Sequence, residues 1–173
     1  MDIKEIKAPI FVFNIKEHFN IKEHLLKSIA EIGKYSILDD EQQISNTDWH
    51  LLEQLRIREY QGIIERPIIE CLDEISATTN CGPLRVGEVW FQQYENGDYH
   101  NWHVHGGCTY SSVYYAELPE KTSTMFEYMG EEFQIDVKEG DYVVFPSMLK
   151  HCSKPNETQE RKTIIALNIN VLY

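Results

Sequence analysis

From Leu84 onward the chain loses any helical period and becomes a series of short β-rich runs. The spacing predicts strands over Leu84–Tyr94, Cys108–Glu117, Ser123–Tyr128, Glu132–Val137, Tyr142–Phe145 and Lys162–Leu172. Turn residues punctuate them at Asn96-Gly97, Gly106-Gly107, Leu118-Pro119, Met129-Gly130 and Glu139-Gly140. Many short strands with no helix between them exclude a doubly wound parallel sheet and predict a sandwich or barrel.

The first half reads differently. Pro9 to Phe13 is a short apolar run of strand character. Ile21, Leu25, Ile29 and Ile32 then recur at helical spacing, with Gly33 as the stop. The polar stretch Asp39 to Asn46 reads as a loop, and Asn46 or Thr47 as a cap with Asp48 in the turn that follows. A second helical period runs through Leu52, Leu55, Tyr60, Ile63, Ile64, Ile68, Leu72 and Ile75, and Pro67 should kink or split it. The expectation is a single mainly β (α+β) domain over residues 1–173. Helices within about 1–81 pack outside a jelly roll over about 84–173; two separate domains would each be small.

Charge narrows the partners. Lys and Arg number 16 and Asp and Glu 28, so the net charge is −12. That field repels phosphate backbones and anionic lipid, which argues against nucleic acid and membrane partners and suits a basic one. No run is apolar enough for a membrane span, and Met1-Asp2-Ile3-Lys4-Glu5 lacks the start of a signal peptide. Cys71, Cys81, Cys108 and Cys152 form no C-x-x-C pair, so a structural zinc site is not signalled, and reduced thiols point to the cytoplasm.

The chemistry concentrates in Tyr94-Glu95-Asn96-Gly97-Asp98-Tyr99-His100-Asn101-Trp102-His103-Val104-His105. On a strand, His103 and His105 point to one face, and two imidazoles on one face can seat a transition metal. His151 follows a later strand ending at Phe145-Pro146-Ser147 and is the third candidate ligand. Arg161 and Thr163 share parity with Ile165, Leu167, Ile169 and Val171 in what reads as an inward-facing column. A buried arginine there needs an anionic partner, and a carboxylate matches its fork. Tyr99, His100, Trp102 and Tyr110 are candidates for contacts at the mouth.

On these residues the chain resembles the iron(II)/2-oxoglutarate-dependent oxygenases of the double-stranded β-helix (cupin-like jelly-roll) fold, with prolyl-hydroxylase-like spacing. Tyr94 and Gly97 match the Y-x-x-G of the prolyl hydroxylases, His103 the first iron ligand, His151 the distal one, and Arg161 the group pairing with the co-substrate's far carboxylate. The run Trp102 to Tyr115, the Phe-Pro-Ser before His151 and the Arg-x-Thr…Asn168 ending resemble a subfamily with an H-x-H motif. The resemblance implies iron(II), 2-oxoglutarate as co-substrate and dioxygen. It also implies hydroxylation of a C–H bond in a small molecule or peptide, with a peptidyl or prolyl residue as one candidate. Tyr94, Tyr110, Arg161 and Thr163 are then candidate co-substrate contacts, and His103, His105 and His151 the catalytic metal ligands.

One position departs from the pattern. His105 stands where the family places a carboxylate, so three histidines hold the metal, or His105 turns away and two histidines hold it with water, or Glu117, Glu127 or Asp98 completes the set. Gly97 before H-x-H, and Gly140, Pro146 and His151, also match part of the cupin pattern, although Thr109 and Tyr110 stand where its glutamate would fall. A cupin-like metalloenzyme of another reaction type, with zinc-activated water as one form, is the alternative, and a non-catalytic jelly-roll binding module is the third reading.

Overall fold

The structure, a computed structural model, describes residues 8–32, 37–39, 42–51 and 58–172. Strand β1 (Phe11–Asn14) leads into helix α1 (His18–Glu31); β2 (Ile37–Asp39) and β3 (Gln42–Ile44) form a ribbon; β4 (Asn46–Thr47) and a 3-10 turn (Trp49–Leu51) precede helix α2 (Glu59–Thr79). The β-rich part contains β5 (Leu84–Tyr94), β6 (His100–His103), β7 (Tyr110–Glu117), β8 (Met125–Tyr128), β9 (Glu131–Gln134), β10 (Asp141–Pro146), β11 (Lys150–Ser153) and β12 (Lys162–Val171).

Two antiparallel sheets make the double-stranded β-helix. The major sheet has the order β1-β10-β7-β12-β5-β4 and the minor sheet β6-β11-β8-β9. Two cores follow from the alternation of side chains across the major sheet. Ile165, Leu167, Ile169, Phe91, Tyr114 and Val144 face the helices and meet Leu25 and Ile29 of α1 and Ile64, Ile68, Leu72 and Ile75 of α2. Ile164, Val113, Tyr115, Tyr94, Val143 and Phe145 face the minor sheet and pack on Phe126. The site lies on this second face.

Several sequence expectations need correction. The stretch Asp39 to Asn46 is not simply a loop: it holds β3, which pairs with β2, and the start of β4, whose Asn46 and Thr47 pair with Gln93 and Gln92 at the edge of β5. Ser45 is pinned beside them by its backbone and hydroxyl bonds to Asp98. Pro67 does not split α2, which runs unbroken from Glu59. The missing N–H at Pro67 costs one bond, and the buried Ile64, Ile68, Leu72 stripe on either side keeps the helix seated. The short strands β6 and β11 carry no apolar alternation that would have revealed them. Gly33, Leu52 and Leu55 lie outside the described residues. Among those residues no helix is long and apolar enough to cross a membrane.

Asp48 fixes the segment that reaches the site. Its carboxylate accepts the Phe91 N–H at 2.9 Å and the Tyr60 hydroxyl at 2.8 Å, and meets Arg58 Nε at 3.2 Å. Trp49 is thereby held against Trp90. On the far side, the turn before β10 closes at Gly140, whose φ of +87° is open to glycine. A Cβ there would come within 2.8 Å of the His18 ring. His18 is buried and joins Tyr114 Oη at 2.6 Å and Glu139 at 3.1 Å, which anchors α1 to the major sheet. Gly140→Ala is expected to destabilise the fold by about 2 kcal/mol or more, from left-handed strain plus overpacking. A urea unfolding midpoint measures this, and a shift below about 0.5 kcal/mol would mean that His18 yields freely.

Candidate active site

β6 and β11 are neighbours in the minor sheet, and their register sets His103 directly opposite His151. Their ring centroids lie 4.2 Å apart. His105 follows the end of β6 rather than sitting on it; its backbone N–H donates to Ser147 O at 3.0 Å, and its ring stacks on Trp90. Its centroid is 5.2 Å from those of both His103 and His151. One ligand-capable atom from each of the three residues falls within 4.8 Å of the others, and no other such group of three exists among the described residues.

The hydrogen bonds around the rings select a tautomer. His103 Nδ1 lies 2.7 Å from Asn101 O, His151 Nδ1 2.9 Å from Leu149 O, and His105 Nδ1 2.7 Å from Asn168 Oδ1. A carbonyl oxygen accepts, so each Nδ1 carries the proton and each Nε2 keeps its lone pair. The Asn168 amide is oriented in turn by donation to Glu88 Oε2 at 2.6 Å. Burial and the proximity of the other rings lower the His103 pKa and push His151 down to about 3. His103 and His151 are therefore neutral at pH 7, the form that ligates metal. An array of three Nε2 donors with pinned Nδ1 protons fits a divalent transition ion.

The acidic alternatives to His105 are engaged elsewhere. Glu117 is bound by Arg161 and Thr163, Glu127 by Lys150 and the Gly130 N–H, and Asp98 by Ser45 and the Glu95 N–H.

The structure does not bring Arg161 and Thr163 to the histidines. Arg161 makes a bidentate pair with Glu117, Nε to Oε2 at 2.9 Å and Nη2 to Oε1 at 3.1 Å, and Thr163 Oγ1 bonds the same carboxylate. Tyr110 packs edge-on to Phe11, with centroids 6.4 Å apart, against the helix-side core. Ile165, Leu167 and Ile169 of that column face the helices, so the expected inward direction is reversed. The opposite parity supplies the cavity: Lys162, Ile164 and Ala166 line it with Tyr94, Gln92, His103, His105 and His151.

Lys162 is the residue that the sequence reading missed. It is only 1% exposed. Its ammonium donates to Ser153 Oγ at 2.9 Å and lies 5.1 Å from the centre of the Tyr94 ring. Among the described residues no carboxylate bonds it, and burial pushes its pKa down to about 7. Ser111 adds a buried hydroxyl on the same cavity wall. Tyr94 donates its hydroxyl to Gln92 Oε1 at 3.0 Å. The cavity holds about 30 Å³, room for about two waters, so a larger ligand would displace side chains, with the flexible Lys162 stem the foremost candidate. His100 stacks on His103 at 4.0 Å and lines both this cavity and a wider outer cleft. Trp102 lies under the Lys150 ammonium at 5.4 Å.

The fold is that of the 2-oxoglutarate/iron(II) oxygenases. A viral collagen prolyl hydroxylase from Paramecium bursaria Chlorella virus-1, solved with 2-oxoglutarate, superposes with a TM-score of 0.63 at 15% identity, over 94% of this chain and 96% of that one. An oxidoreductase of the 2OG-Fe(II) oxygenase family from Burkholderia pseudomallei gives 0.72 at 6% identity, over 93% and 85%. SnoN, a non-heme α-ketoglutarate-dependent epimerase of nogalamycin biosynthesis, gives 0.71 at 11% identity, over 95% and 78%. No protein-family model and no curated protein sequence matches the chain.

Proposed function

We propose that this chain is an iron(II)- and 2-oxoglutarate-dependent oxygenase that hydroxylates a C–H bond of a small-molecule or peptide substrate. One observation carries the reading: a cavity on the inner face of the double-stranded β-helix holds three histidines together with a buried lysine that, among the described residues, no carboxylate bonds. The fold neighbours support it, and they span prolyl hydroxylation and epimerisation, so the reaction type rests on the site.

His103, His105 and His151 would hold the metal through Nε2, with Asn101, Leu149 and Asn168 keeping each ring in register. Iron(II) bound there with 2-oxoglutarate would supply the activation of dioxygen. Three neutral ligands leave the ion's charge of +2 uncompensated, and a bound dianion balances it. Lys162 would take the far carboxylate of that dianion, with the Ser153 and Ser111 hydroxyls as further donors and the Tyr94 face packing the stem. This replaces the role expected of Arg161 and Thr163. A buried ammonium facing a carboxylate regains the electrostatic partner that burial denies it. Trp90 and Phe145 shield the imidazoles from water.

The helices and both sheets act as one unit in this reading, supported by the two cores that the major sheet forms with the helices and with the minor sheet. Four free thiols suit a reducing compartment, the cytoplasm in particular.

The experiment is anaerobic titration of iron(II) and 2-oxoglutarate into the metal-free protein. A visible charge-transfer band that needs both components is the expected result, followed by succinate formation on admitting air. Tight iron binding with no band and no succinate would sink the oxygenase reading and leave a metalloenzyme of another kind.

A further inference from the structure

Beyond the histidines the site widens into a cleft of about 470 Å³. Trp49 and Trp90 form one wall, with their rings edge to face and centroids 4.5 Å apart. Trp90 is buried against His105, whereas Trp49 is 43% exposed and presents indole surface to a ligand. The lining contains one carboxylate, Glu88, and among the described residues no lysine or arginine. Glu88 is exposed and accepts a bond from Asn168 through Oε2, and a carboxylate retains capacity for another donor through Oε1.

We infer that this cleft receives a cationic group, an ammonium or guanidinium, seated against Trp49 and paired with Glu88; that this group belongs to the substrate rests on the oxygenase reading. The indole face attracts cations through its quadrupole, and the carboxylate adds a charge-assisted hydrogen bond. An anionic ligand would meet Glu88 with no counter-charge in the lining. A neutral apolar ligand would satisfy the tryptophans but strip water from Glu88 without replacing it. The chain's charge of −12 steers the same sign of ligand toward the cleft. The lining thus selects among substrates by charge, at a place separate from the Lys162 end of the cavity.

Intrinsic tryptophan fluorescence of the protein loaded with manganese(II) and 2-oxoglutarate tests this. The probes are n-butylammonium, n-butylguanidinium, neutral 1-pentanol and anionic pentanoate. The cations should give a saturable response, about fivefold or more tighter than pentanol, and pentanoate should give none. Glu88→Gln keeps an oxygen to accept from Asn168 and should weaken the cations by about fivefold. Free L-arginine and a capped arginine peptide then separate a metabolite from a peptidyl source, and binding of either supports the inference. Equal binding of pentanol, tighter binding of pentanoate, or unchanged cation affinity in Glu88→Gln overturns it. A cation response in a protein that forms no iron–2-oxoglutarate band keeps the cationic cleft and removes the oxygenase reading. The band with no cation response does the reverse.

Discussion

His151→Ala is expected to abolish tight metal binding and, with it, the charge-transfer band. His151 comes from β11, in register with His103 on β6, and the two imidazoles lie on adjacent strands of the minor sheet. Loss of a residue that merely orients a ligand typically costs 10–100-fold in metal affinity, so loss of a ligand itself should exceed about 100-fold. Asn168→Ala offers the graded comparison. It removes the acceptor of His105 Nδ1 and should lower affinity within that smaller range while leaving the rings in place. Metal content and titration calorimetry on protein purified without a histidine tag measure both effects. Undiminished metal affinity in His151→Ala, with the melting temperature retained, would mean that the three rings are a polar cluster and not a metal centre.

Lys162→Met should separate the co-substrate from the metal. Methionine matches the length of the lysine stem without its charge, so iron affinity is expected to stay near wild type. Affinity for 2-oxoglutarate should fall by about 2–5 kcal/mol, a factor of at least about 30, because a buried carboxylate would lose its charged partner. Arg161→Ala is the control. Its guanidinium is occupied by Glu117 and its side chain is 38% exposed, so 2-oxoglutarate affinity should hold and stability should change by less than about 1 kcal/mol. The reverse ranking of the two variants would return the anchoring role to Arg161.

The same lysine sets two pH dependences. Its pKa lies near 7 in the free protein, against an ordinary value of 10.5. Only the protonated form pairs with a carboxylate, so 2-oxoglutarate affinity should be level below about pH 7. It should weaken by up to about tenfold per pH unit above it. For folding the sign is the opposite. Between about 7 and 10.5 the unfolded chain binds a proton that the folded chain has released, so the unliganded fold gains stability as pH rises through that window. Lys162→Met removes this gain and should be more stable than wild type at pH 7, because the charge it deletes is buried and, among the described residues, lacks a carboxylate partner. Melting temperatures at pH 6, 7 and 9 give the comparison.

The legible parts of the sequence were those with local causes. The turns at Asn96-Gly97 and Glu139-Gly140 and the long strands β5, β7, β10 and β12 follow from residue chemistry at short range. The H-x-H pair and His151 are rare enough together to stand out. What stayed hidden has an equally definite cause. β12 is buried on both faces from Lys162 to Ile169. Its alternation of apolar and polar residues is therefore erased, and nothing local says whether Arg161 or Lys162 points inward. A shift of one residue exchanges the two faces of the strand. β6 and β11 are four residues each and rich in polar groups, so no periodicity announces them, although they carry two of the three histidines.

The sequence alone determined the class of architecture and the three imidazoles, since turn residues, β-rich runs and ligand types are properties of the residues themselves. The tertiary structure alone decided which cation shares the cavity with them. That choice depends on the parity of β12 against β5, where Lys162 pairs with Tyr94 and Thr163 with Gln93. Pairing between strands about 70 residues apart is set by how both faces pack, against the helices on one side and the minor sheet on the other.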